Sequence, residues 1–154
     1  MAEHIWSVLC SKGLVDKSSN LVSLIEVVEN LTITLTEQIP AGAREAALSL
    51  SFVLVSYWIR SDSKAGENVA GRVRTLGPGE QSLSSSEFEV SLMQHSRARH
   101  FMRFASMPYD GAGMYRFVVE QRVGDGWRQV ASVPLQLEIK HAPVDTAATV
   151  TPTP

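Results

Sequence analysis

A single cysteine, Cys10, stands in a chain of 154 residues. That excludes an intrachain disulfide, and the thiol sits in an apolar run, where free cysteine behaves as a small hydrophobe. The lack of paired thiols favours a reducing compartment. Charge of neither sign dominates: 14 basic against 16 acidic side chains leave a net charge of −2, which removes any global pull toward nucleic acid or an acidic membrane. No apolar run approaches the roughly 20 residues needed to span a bilayer. The opening MAEHIWSVLCSKG carries an acid at Glu3 where a secretion signal would carry basic residues. A cytoplasmic protein without membrane association is expected.

Motifs that carry chemistry are also missing. There is no HExxH, no CxxC, no EF-hand loop and no GxSxG. His95 and His100 are spaced so that a regular strand puts them on opposite faces. The aspartates that calcium would need (Asp16, Asp62, Asp110 and Asp125) lie in segments where turns favour aspartate anyway. Gly111-Ala112-Gly113 opens no helix, so it makes no dinucleotide cradle. No metal and no cofactor are expected, and the chain does not read as an enzyme. A hydrolase built from scattered polar residues would require a polar pocket that the sequence does not announce.

What is present is a two-residue rhythm. Leu31, Ile33 and Leu35 alternate with Thr32, Thr34 and Thr36; Phe88, Val90 and Leu92 alternate with Glu87, Glu89 and Ser91; Val133, Leu135, Leu137 and Ile139 alternate with Pro134, Gln136, Glu138 and Lys140. Strands place each set on one face, and antiparallel sheets with one wet face produce this pattern. The rhythm predicts about nine strands: 3–10, 20–25, 30–36, 46–59, 69–76, 86–93, 99–105, 113–122 and 129–139. Turn signals separate them, at 16–20, 40–42, 61–63, 77–79, 110–111 and 124–126. Only 25–30 and 43–47 are short enough candidates for helical turns. The predicted fold is all-β, an antiparallel β-sandwich, immunoglobulin-like in broad architecture, over residues 1–140. Residues 141–154, rich in Ala, Thr and Pro, read as a flexible tail. Pro134, which cannot donate to a ladder, predicts a sheet edge or bulge.

Tyr115 follows Gly113 as the tyrosine of an immunoglobulin corner does, its hydroxyl expected to bond upstream backbone. Phe117 stands where antibody domains have cysteine, filling with a ring the volume of a disulfide that a reducing compartment would not maintain. The segment SVLCSKGLVDKSSNLVSLIEVVENLTI, with Gly113-x-Tyr115-x-Phe117, Asp125-Gly126 and a final apolar strand, resembles a family of small bacterial β-sandwich proteins of uncharacterised function. The resemblance spans about residues 4–139, is carried by 4–36 and 113–139, and implies a fold but no activity and no functional residues.

Two stretches point to binding. In ALSLSFVLVSYWIR the outward set turns apolar, so Val53, Val55, Tyr57 and Ile59, alongside Trp58, require cover from the chain itself or from another subunit. The leading reading is a non-catalytic binding or assembly module, self-associating through the Val53–Ile59 face. The alternative is anion or nucleic-acid binding through 94–104, QHSRARHFMRF, where Arg97, Arg99 and Arg103 stand beside Phe101 and Phe104. Arg72 and Arg74 are expected to meet Glu87 and Glu89 on the next strand.

Overall fold

The alternating segments all form strands. The chain is seen here as a computed structural model that describes residues 2–35, 47–61 and 65–142. Nine strands follow in order: β1 (Glu3–Val15), β2 (Val22–Val27), β3 (Asn30–Leu35), β4 (Ala47–Ile59), β5 (Asn68–Leu76), β6 (Ser82–Ser91), β7 (Arg97–Pro108), β8 (Gly113–Val123) and β9 (Gly126–His141). They make two packed sheets, one of four strands in the order β2-β1-β4-β7 and one of five in the order β3-β9-β8-β5-β6. Every pairing is antiparallel except β3 with β9, which is parallel. The fold is a β-sandwich, mixed at that one pair.

The predicted helical turn at 25–30 is instead the end of β2 and a crossing to β3 in the other sheet. Glu26 takes φ 53°, a left-handed conformation inside an edge strand, which bends the edge in place of a helix. Of the other predicted helical turn, at 43–47, residues 43–46 lie outside the described residues and Ala47 begins β4; the expected tail beyond residue 142 also lies outside them. β9 itself runs on through His141, past the predicted end of the sandwich at 140.

The core lies between the sheets. It gathers Leu9, Leu54, Trp58, Leu92, Met107, Tyr115, Phe117, Leu135 and Leu137, all nearly inaccessible. Phe52 from β4, Phe104 from β7 and Phe117 from β8 form a ring cluster with centroid separations of 5.1 to 5.5 Å, bridging the sheets where a disulfide could not. The Tyr115 hydroxyl accepts the Asp110 N–H and donates to the Gly111 carbonyl, both at 2.8 Å, so the corner forms as expected. Gly113 is needed there: its φ is 141°, and a Cβ would lie 2.9 Å from Pro78. Pro134 lies opposite Arg116 on β8, but β3 pairs with β9 only from Gln136 onward, so its missing N–H falls where β9 is locally an edge.

Arg72 does lie across from Glu87, yet its charge goes elsewhere. Arg72 and Arg74 both pair with Glu120 on the other neighbouring strand, at 2.6 and 3.0 Å, and Arg72 also stacks over Trp127 at 4.5 Å. Burial raises the Glu120 carboxyl, but the two arginines more than offset it and hold it below the usual range.

Candidate functional site

On the outer face of the four-stranded sheet, the apolar row of β4 and the basic row of β7 lie side by side. Val53 is opposite Arg103, Val55 opposite Phe101, Tyr57 opposite Arg99 and Ile59 opposite Arg97. The two stretches that sequence reasoning treated as rival surfaces are therefore one face.

The structure corrects the apolar half. Trp58 is on the inner face, fully buried, with its indole N–H donated to Ser56 Oγ at 3.0 Å. Val55 is fully buried and Val53 nearly so, packed in a small second core with Cys10, against Trp6, Leu24 and Phe101. The cover over this face comes from the chain itself. Phe101 lies so close over β1 that a Cβ on Gly13 would meet its ring at 2.8 Å. Tyr57, tilted against Trp6 at 5.6 Å, and Ile59 stay partly accessible. Phe104 dips into the main core, which leaves Phe101 and Tyr57 as the aromatics beside the arginines.

Arg97 and Arg103 are exposed and Arg99 is half-buried. The Arg99 guanidinium lies 5.6 Å from the Tyr57 ring centre and donates to the Asn20 carbonyl at 3.1 Å. Its Nε is buried with no hydrogen-bond partner. Asn20 closes the β1–β2 turn with φ 55°, its N–H bonded to the Asp16 carbonyl at 2.8 Å. Asp16 fixes the same turn by accepting from the Ser18 N–H, the Ser18 hydroxyl and the Ser19 N–H at 2.6 to 3.0 Å, bonds that pull its carboxyl down to about 2.

Between this turn and the start of β7 lie two adjoining clefts of about 410 and 280 Å³, both lined by Asn20, Arg97, Ala98 and Arg99. One adds Val15, His95, Ser96 and Phe101; the other adds Ser19, Leu21 and Tyr57. Among the described residues no acid lines either cleft. Such a groove can attract and hold an anion or an acidic segment while packing apolar groups beside it. The turn side of the groove was invisible from sequence, because Asn20 and Arg99 are 79 positions apart and nothing in either segment announces the other.

Among the described residues no group of three or more His, Cys, Asp or Glu is placed to hold a metal ion, and no helix is long and apolar enough to cross a membrane. The Cys10 thiol is buried and pushed up by that burial, against the nucleophilic form. No known protein family and no curated protein matches the chain.

Proposed function

We propose that the chain is a non-catalytic binding module whose working surface is the arginine-bearing side of β7, and that its ligand is an anionic group or an acidic protein segment. One observation carries the reading: Arg97, Arg99 and Arg103 share one face of an edge strand, and Arg97 and Arg99 line acid-free clefts together with half-buried rings. Arginine on an aromatic-backed face suits bidentate contact with carboxylate or phosphate better than a solvated lysine patch would. Nucleic acid is a weaker fit than a single anion or short acidic segment, since three arginines release few counterions and the rings beside them, Tyr57 and Phe101, are both half-buried.

The test is retention on immobilised heparin. The protein should bind at low ionic strength and elute as salt rises, and Arg97→Ala with Arg103→Ala should move elution to clearly lower salt. Passage of the monomeric protein through the column at low salt would remove the reading.

A further inference from the structure

The flank of the sandwich that carries β7 carries a second edge with the opposite charge. β7 ends the four-stranded sheet and β6 ends the five-stranded sheet on the same side. Phe88 near the end of β6 stacks on His100 near the start of β7, with ring centres 4.2 Å apart and planes at 12°, so the two edges form one unit and run in opposite directions. On the outer face β6 exposes Glu87 and Glu89; on its own outer face β7 exposes Arg97 and Arg103, with Arg99 between them. Among the described residues neither edge has a backbone partner on its free side.

We infer that the acidic segment bound by β7 is the β6 edge of a second copy of this chain. A two-fold axis running along the strands sets β6 of one copy beside β7 of the other, and β7 beside β6, in the same act. That rotation also brings the outer face of each four-stranded sheet level with the outer face of the partner's five-stranded sheet. The newly paired strands are antiparallel, and Glu87 and Glu89 fall on the same surface as the partner's arginine row. Backbone bonds between the edges supply adhesion, and cross-strand charge pairs supply register and partner choice. Pairing of β7 with another β7 would instead put arginine against arginine, and β6 with β6 glutamate against glutamate, so the charges select the reciprocal arrangement.

The inference rests on the binding role given to β7, and sedimentation analysis separates the two. At low ionic strength the parent should sediment as a dimer whose dissociation constant rises at least tenfold on going to high salt. Glu87→Lys with Glu89→Lys, and separately Arg97→Glu with Arg103→Glu, should each be folded by circular dichroism and monomeric alone; both sparing Arg99, they leave its bond to Asn20 intact. Mixed in equal amounts, the two variants should form a dimer again, because each supplies the edge the other has lost. A parent monomeric at all salt concentrations, or variants that stay dimeric alone or fail to combine, would overturn the second copy as the occupant. Heparin retention by a monomeric parent would leave the binding role of β7 standing without it.

Discussion

Tyr115 shows how much one hydroxyl can do in a sandwich without crosslinks. Its ring is fully buried with the Phe117 cluster, while the oxygen satisfies an N–H and a carbonyl in the loop that leads into β8. Burial pushes its phenol above the usual range, so the group stays a neutral donor as well as an acceptor. Tyr115→Phe keeps the ring and strips both bonds, leaving the Asp110 N–H without this partner. The expected cost is about 1–3 kcal/mol, read as a lower urea midpoint with an unchanged slope. A midpoint equal to the parent's would show that the corner does not pin the loop. The Tyr-after-Gly signature was legible in the sequence because the corner is local: donor, acceptor and hydroxyl all lie within five positions.

At the scale of the strand, β4 explains both what sequence conveys and what it withholds. Its Leu48, Phe52, Leu54 and Trp58 face the main core, and Val53 and Val55 face the second, smaller one. The doubled hydrophobicity was readable as a strand covered on both faces, but the identity of the cover was not. Phe101 reaches Val55 through the β4–β7 register, a long-range property that no local pattern encodes. Two other details lay beyond local pattern for the same reason. The alternation of β3 is identical whether its neighbour runs parallel or antiparallel, so the β3–β9 pair was not foreseen; and the outward arginines of β5 face acids on both neighbouring strands, of which Glu120 prevails. Its side chain is only 7% accessible, so the bond is less screened there than at exposed Glu87. The strands were legible, and the adjacency of the arginine and apolar rows was not. Because Val55 is already covered, Val55→Glu would bury a carboxylate among Cys10, Phe101 and Trp6. The expected result is a loss of about 3–5 kcal/mol, seen as broad or absent cooperative unfolding by circular dichroism. An equally stable Val55→Glu protein would mean that the face is open.

For the molecule as a whole, the stacked rings between the layers make stability depend on pH. His4 meets Trp58 edge-on at 4.9 Å, Trp58 meets Phe88 at 6.2 Å, and Phe88 stacks on His100, so two imidazoles end a run of rings that ties β1 and β4 to β6 and β7. Burial lowers both histidines below the ordinary 6.5, outweighing at His4 the opposing effect of a backbone bond at Trp6. The unfolded chain therefore binds these protons more readily than the folded one. Stability is complete above 6.5 and falls as pH drops below it and through the depressed folded values. The carboxylates act in a lower window with the same sign. Glu120 is held below 4.5 and Asp16 at about 2, so each contributes above its unfolded value and is lost as acid titrates the folded group. Urea midpoints measured from neutral to acid pH should fall in two stages. His100→Phe, which keeps a ring against Phe88, should shrink the first stage and leave the second in place. A midpoint that stays flat between about pH 7 and 5 would show that the rings at the ends of the run accept protons freely, and that they do not hold the layers together as neutral groups.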